Sequence, residues 1–402
     1  MKQAALIGFF LWAIASSAPG QETGSSFVLN GYLKDLQSVF FLNQALPVGG
    51  GNGPGLDTFL IDNLIHNRLN ADWYLSDAFR INAELRSRIF YGDLVRASPD
   101  FSDMVKEANN DYFQLSWVLV DEPSYVVHTM LDRFYLEYVH EKLEIRLGRQ
   151  RVNWGISTVW NPNDLFNAFD YTDFDYEERP GTDALRVKYY TGFASSAELV
   201  VSAFDRWEEA RMAAKWSFNQ WSYDVQLLAG LVEGDIALGL GWAGNLGQAG
   251  LKGEMTWFKA MDEWFADYAD PRDAFALTLG VDYSFSNSLY GQVSYLYNSL
   301  GSTDASSGEL FTFRLSAKNL YPYRHAVFVQ ATYPLTPLVN MGLAVIYSPV
   351  SVHALFLNPT FTYNLATNWD LDLIGQLTFN REPDRGYVSP VQALFLRIKW
   401  SF

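Results

Sequence analysis

The C-terminal run Leu394-Phe395-Leu396-Arg397-Ile398-Lys399-Trp400-Ser401-Phe402 decides the fold class. Leu394, Leu396, Ile398, Trp400 and Phe402 share one parity, and Arg397, Lys399 and Ser401 take the other. Side chains of a strand point alternately to its two faces, so this run is an extended segment with one apolar and one charged face. The same period recurs upstream. Residues 79–90 set Phe79, Ile81, Ala83, Leu85 and Ile89 against Arg80, Asn82, Glu84, Arg86 and Arg88. Residues 208–218 set Ala210, Met212, Ala214, Trp216 and Phe218 against Glu209, Arg211, Lys215 and Ser217. Residues 369–380 set Trp369, Leu371, Leu373, Leu377 and Phe379 against Asp370, Asp372, Gln376 and Asn380.

Such segments lie near 27–35, 62–75, 78–91, 128–139, 142–151, 182–191, 194–205, 208–219, 221–233, 235–245, 249–260, 273–285, 288–299, 325–334, 338–348, 352–364, 367–380 and 391–402. Most have about 9–13 residues, which suits a tilted strand crossing a bilayer. A helical period competes only near 101–112. In a soluble sandwich the apolar face of every strand needs a second sheet over it, and a propeller carries a blade repeat, which this chain lacks. The expectation is therefore an all-β, transmembrane antiparallel barrel of about 18 strands, with 16 as the alternative.

The connections support this. Short ones, such as Ser76-Asp77, His140-Glu141, Gly192-Phe193 and Asn219-Gln220, alternate with longer stretches near 36–61, 92–127, 152–181, 261–272, 300–324 and 381–390. Short turns at one rim and long loops at the other are the usual asymmetry of a membrane barrel, and an even strand number puts both termini on the short-turn side.

The first twenty residues read as an export signal: Lys2, an apolar run from Ala4 to Ala15, then Ser16-Ser17-Ala18-Pro19-Gly20. The run is too short to anchor as a helix. The expected division is residues 1–20 as signal peptide, cut near Gly20, and 21–402 as barrel. Composition narrows the rest. With no Cys, disulfides, thiolate metal sites and Cys nucleophiles are excluded. A formal charge of −16 gives no basic footprint for nucleic acid. An aromatic fraction of 16% suits membrane–water interfaces.

If the apolar parity meets lipid, the other parity can be read as a lumen. It carries Arg68, Arg80, Arg86, Arg88, Arg133, Arg146, Arg186, Lys188 and Arg211, later Lys215, Arg397 and Lys399, with Asp72, Glu84, Glu137, Glu144, Glu198 and Glu209 interspersed. These are candidate pore-lining groups, because charged rings and ladders govern which ions enter a pore. They are equally suited to knit the wall by salt bridges. The third long loop is aromatic and acidic: Trp154, Trp160, Asp164, Asp170, Asp173, Asp175, Glu177 and Glu178 stand in it, with Phe166, Phe169, Tyr171, Phe174 and Tyr176. So many aromatics suit an inward-folded loop that narrows the lumen against the arginine wall better than one left in open water. The acids do not match an EF-hand and lack its central Gly, so no metal site is assigned. No Gly-x-Ser-x-Gly, His-Glu-x-x-His or phosphate-loop motif occurs, so neither catalysis nor a cofactor is expected.

The terminal aromatic Phe402, after its alternating run, resembles the C-terminal signal that bacterial outer-membrane proteins present to the barrel-assembly machinery. Arg146-Leu147-Gly148-Arg149-Gln150 followed by Asn153-Trp154-Gly155 resembles the strand-plus-loop signature of porin-like barrels in the alginate-export and related uncharacterised outer-membrane families. His66-Asn67-Arg68-Leu69-Asn70 and Ala83-Glu84-Leu85-Arg86-Ser87-Arg88 are similar to the arginine-bearing second and third strands of such proteins. The resemblance covers about a fifth of the chain. It implies an arginine-lined lumen passing an anionic polysaccharide, with Arg68, Arg86, Arg88, Arg146 and Arg186 in that role. The acidic third loop departs from that pattern. Arg149 falls on the lipid parity, so a bulge or the strand's end must redirect it.

The expectation that follows is a Gram-negative outer-membrane porin: a passive channel for small polar solutes, with outer-membrane lipid and lipopolysaccharide around it and a homo-oligomer compatible with it. A selective saccharide or anionic-polysaccharide channel and a closed structural barrel are the alternatives.

Overall fold

The computed structural model describes residues 26–43, 58–107, 112–168, 181–261, 272–303, 313, 315–382 and 384–402. Among them no helix is long and apolar enough to cross a membrane. The strands are β1 (Ser26–Leu42), β2 (Thr58–Tyr74), β3 (Phe79–Gly92), β4 (Ser116–Glu122), β5 (Tyr125–His140), β6 (Leu143–Gln150) and β7 (Thr182–Gly192). They continue as β8 (Ser195–Ser202), β9 (Arg211–Gln220), β10 (Tyr223–Val232), β11 (Asp235–Leu246), β12 (Ala249–Ala260), β13 (Ala274–Ser284) and β14 (Tyr290–Asn298). The last are β15 (His325–Thr336), β16 (Val339–Ser348), β17 (Ala354–Ala366), β18 (Trp369–Glu382), β19 (Gly386–Val388) and β20 (Val391–Ser401).

Eighteen of these form a closed antiparallel barrel. Each barrel strand pairs with the next, and β1 pairs with β20 from Tyr32↔Ser401 to Leu42↔Val391, which leaves no open edge. The backbone of Phe402 extends this seam, exchanging two 3.0 Å hydrogen bonds with Gly31. The other two strands are rim additions: β4 pairs only with the upper half of β5, and β19 only with the end of β18. All eighteen periodic segments of the sequence are strands here. The helical period near 101–112 corresponds to a short helix, Phe101–Glu107.

Two expectations need correction. The 36–61 loop is shorter than its sequence suggested, because β1 runs on to Leu42 and β2 starts at Thr58. Alternation fades there because Leu36, Phe40 and Leu42, on the inner parity, are apolar too. They pack with Leu64, Ile374 and Phe395, or with Leu60 and Val391. The 92–127 loop contains β4, whose seven residues offer too short a pattern to separate from its surroundings.

The outer parity is the exposed apolar one, with Leu147, Leu199, Trp216, Leu238, Val293 and Leu343 all exposed. In hydrocarbon such a face needs no cover, and the closed sheet satisfies every strand's backbone internally. Aromatics gather near the short-turn rim, where Trp369 and Trp400 stack at 6.1 Å and Trp400 and Phe402 lie 5.0 Å apart. The inner parity is not uniformly polar. On β14–β17, Leu296, Phe328, Ile346 and Phe356 form one apolar cluster with Val159 and Trp160. On β8, β10 and β12, Val200, Leu228 and Phe258 form another with Trp154, Leu165 and Phe166.

Candidate functional site

The barrel register brings the charged inner-parity residues into one alternating row. Asp72 on β2 meets Arg80 on β3 at 3.5 Å, and Arg80 meets Glu137 on β5 at 3.0 Å. Glu137 also takes Arg146 of β6 at 2.5 Å, and Arg146 reaches Glu144 at 3.0 Å. Glu144 lies 4.0 Å from Arg186 on β7, which holds Glu198 on β8 at 2.8 Å, and Lys215 on β9 closes the row 3.7 Å from Glu198. The row crosses seven strands with no two like charges adjacent in it. Arg80 and Arg146 keep 24% side-chain exposure and are the accessible cations of the row.

A second cluster lies on β2, β3 and β5. Arg68 pairs with Glu84 and, at 2.5 Å, with Asp132; Arg86 pairs with Asp132 at 2.9 Å; Arg133 reaches Glu84 at 3.2 Å. Asp132 and Arg133 are sequence neighbours yet both join this cluster, because the β3–β5 register shifts between Glu84 and Leu85. A bulge of this kind turns two consecutive side chains the same way. Arg68 and Arg86 are only 1% and 2% exposed, so they are structural ion pairs more than contact surfaces for solutes.

The remaining predicted cations are more dispersed. Arg88 donates to His128 Nδ1 at 3.3 Å and lies over Phe90, while His128 Nε2 meets Ser116 Oγ at 2.7 Å. Lys188 sits 4.5 Å over the Tyr190 ring. Arg211 pairs with Glu233 at 2.5 Å and donates to the Phe166 carbonyl at 3.3 Å. It also lines a cavity of about 450 Å³ shared with Asp205, Glu208, Asp235 and Lys318. Arg149 stays on the outer parity at the strand's end, beside Gly148 at φ +122°. It is held at 2.6 Å by Asp183 and by the Phe113 carbonyl, while the Phe113 N–H caps Asp183 at 2.7 Å.

The segment 152–168 follows β6, and its contacts are with inner-parity side chains. Trp154 Nε1 donates to Glu198 Oε1 at 2.7 Å, Lys215 Nζ lies 5.2 Å over the Trp154 ring, and Gln226 donates to the Trp154 carbonyl at 2.6 Å. Glu254, mid-way along β12, accepts the backbone N–H groups of Ile156, Ser157 and Asn163. Thr256 donates to the Pro162 carbonyl at 2.7 Å. Trp160 packs edge-on against Tyr321 and Phe328. Asp164 is buried within this segment. The predicted acids Asp170, Asp173, Asp175, Glu177 and Glu178 lie outside the described residues.

Two glycines of β11 make this approach feasible. A Cβ on Gly239 or on Gly241 would run into the Asn163 side chain, at 2.6 and 2.8 Å. Sequence reasoning missed Glu254. Its signal was available: on the inner parity it pairs with Gly241 and Thr278, so neither register neighbour offers a cation. A lone mid-strand acid of that kind must find its donors off the wall.

No family model matches the chain, and no curated protein matches it. The alginate-export resemblance therefore has no counterpart in those comparisons. Solved structures do match. Acinetobacter baumannii OccAB2 is 8% identical with a TM-score of 0.57, covering 93% of this chain and 98% of that one. Pseudomonas aeruginosa OpdQ is 9% identical at 0.56, with 94% and 97% covered. Acinetobacter baumannii OccAB4 is 13% identical at 0.53, with 96% and 100% covered. These neighbours are outer-membrane porins, and the likeness places this chain's fold among their closed barrels.

Proposed function

We propose that this barrel is a passive outer-membrane channel for small polar solutes, its path lying between the alternating charged row of β2–β9 and an inward-folded segment 152–168. The row is the observation that carries the reading. Acids and bases alternating along one inner face stay hydrated and orient dipolar solutes, while an apolar solute finds no compensation for stripping that water. Arg80 and Arg146 supply the accessible positive edge. The anchorage of 152–168 on Glu198 and Glu254 supports its role as the narrowing element. No catalytic step belongs to this reading.

Residues 1–20 act as the export signal and 21–402 form the barrel. Phe402, whose ring stands beside Trp400, is the contact for the assembly machinery. Lipid and lipopolysaccharide surround the apolar wall. The test is planar-bilayer recording of the purified barrel in KCl. Stepwise currents are expected; an electrically silent barrel, inserted and folded, would overturn the channel and favour a closed structural role.

A further inference from the structure

Two cations in the middle of the charged row share one acid. Arg80 on β3 and Arg146 on β6 both reach the same oxygen of Glu137, Oε2, at 3.0 and 2.5 Å. Each has a second acid farther along the row: Asp72 lies 3.5 Å from Arg80, and Glu144 lies 3.0 Å from Arg146. One carboxylate cannot offset two guanidinium charges, and like charges this close repel strongly in a partly buried site. Left to these ion pairs alone, the two arginines would swing apart, each toward its own outlying acid.

Tyr135 stands between them. It precedes Glu137 by two residues on β5, the strand that separates β3 from β6, so its side chain shares the inner face with Glu137. The Arg80 guanidinium carbon lies over the Tyr135 ring, 5.9 Å from its centre, and the Arg146 guanidinium carbon lies 5.4 Å from the same centre. At such distances the electron-rich face of an aromatic ring attracts a cation, and a planar guanidinium stacks on it well. Arg80 Nη2 also donates to the phenol oxygen at 3.2 Å. The register gives the ring room: the residue opposite Tyr135 on β6 is Gly148, which has no side chain to fill that place. Tyr135 is 9% exposed, so it holds the two cations while they, at 24%, face the lumen.

We propose that Tyr135 is a positioning residue for ion selectivity: its ring supplies the attraction that Glu137 alone cannot, and so keeps Arg80 and Arg146 together as one doubled positive edge. The inference rests on the channel reading of the charged row. Two arginines held on either side of β5 act on an approaching ion at one point of the path. The same two arginines splayed toward Asp72 and Glu144 are each neutralised separately, and the path loses its positive point. Tyr135 thus bears on which ions pass while barely touching them itself.

The test compares Tyr135→Phe, Tyr135→Leu and Arg146→Gln with the wild-type barrel, by reversal potential in a KCl gradient. Tyr135→Leu removes the ring and should lower the chloride-to-potassium permeability ratio about two- to fivefold, the scale of one exposed cation–π contact. Tyr135→Phe keeps the ring and drops only the phenol, so it should hold most of the wild-type ratio. A ring that merely fills space would lower the urea midpoint of Tyr135→Leu and leave the ratio where it was. That result, with Arg146→Gln still lowering the ratio, would overturn the assignment and spare the channel reading. Equal losses in Tyr135→Phe and Tyr135→Leu would also overturn it, since the phenol and not the ring would then be the agent. If Arg146→Gln leaves the ratio unchanged as well, the row lies off the conducting path and both readings fall. Should Tyr135→Leu not fold, Tyr135→Met, which fills more of the space without a ring, takes its place with the same expected shift.

Discussion

The indole N–H of Trp154 donates to Glu198 Oε1 at 2.7 Å, joining the segment after β6 to the carboxylate that also receives Arg186 and Lys215. Glu198 thereby does two things: it joins Arg186 to Lys215 in the charged row and it anchors the neighbouring segment. Three donors around one carboxylate satisfy most of its lone pairs, which is what a nearly buried acid requires.

Glu198→Gln removes the only acid between Arg186 and Lys215 in the row. Glu198 is itself buried, but its loss leaves the more exposed Arg186 and Lys215 without their counter-charge, so under the channel reading cations should permeate less and anions more. In a KCl gradient the reversal potential should move toward the chloride equilibrium value. An unmoved reversal potential would place the conducting path away from β7–β9. Trp154→Phe keeps a smaller aromatic ring and drops the N–H, so it should leave selectivity in place and raise open-channel noise.

Glu254→Ala deprives three backbone N–H groups of their acceptor. Hydrogen bonds to a charged group contribute about 1.5–3 kcal/mol each at most, and lost ones leave buried donors unmet. The 152–168 segment should leave its seat while the barrel wall, whose pairing does not involve Glu254's side chain, persists. Single-channel conductance should rise and heat-modifiability should stay normal. Gly241→Leu should act the same way by filling the space that Asn163 needs. Conductance unchanged in both variants would separate this segment from the path.

Arg86 and Arg146 should respond differently although both sit on the inner parity. Arg86 is 2% exposed and shares Asp132 with Arg68, so Arg86→Gln breaks a buried network, a change that costs about 3–5 kcal/mol in comparable pairs. Its unfolding midpoint in urea should fall, with little change in selectivity. Arg146 is more accessible, and its pairs contribute less. Arg146→Gln should barely alter the midpoint and should favour cations. If the two variants switch these phenotypes, exposure is the wrong criterion for choosing pore-lining residues.

That contrast marks what could be read from the sequence. Period-two alternation located every barrel strand, because an apolar outer face and a more polar inner face impose it along most of the wall. It failed at Leu36–Leu42, where the inner face packs against apolar neighbours and both parities look alike. Parity put Arg86 and Arg146 on the same face but not at the same depth. Depth depends on the register and on the bulge that brings Asp132 beside Arg68, and neither is local. Glu254 was legible as an inner-parity acid without a neighbouring cation, but its partners, about a hundred residues away, were not.

Backbone conformation makes the last prediction. Gly148 has φ +122°, and a Cβ there would strike the carbonyl oxygen of Phe134 on β5. Gly247, in a short turn, has φ +66°, and a Cβ there would meet nothing within 4 Å. Gly247→Ala should therefore carry only the left-handed penalty, about 1–2 kcal/mol. Gly148→Ala adds a steric clash within the β5–β6 ladder, just before Arg149 takes Asp183 and Gln150 donates to the Ala184 carbonyl at 2.9 Å. Its cost should exceed that of Gly247→Ala, in the upper part of the about 1–3 kcal/mol range for strained backbone positions. Urea unfolding in detergent should show the larger midpoint loss for Gly148→Ala, with equal slopes because both expose the same surface. Equal midpoints would mean that the end of β6 shifts to absorb the methyl group, and that the Arg149–Asp183 pair does not depend on this turn of the chain.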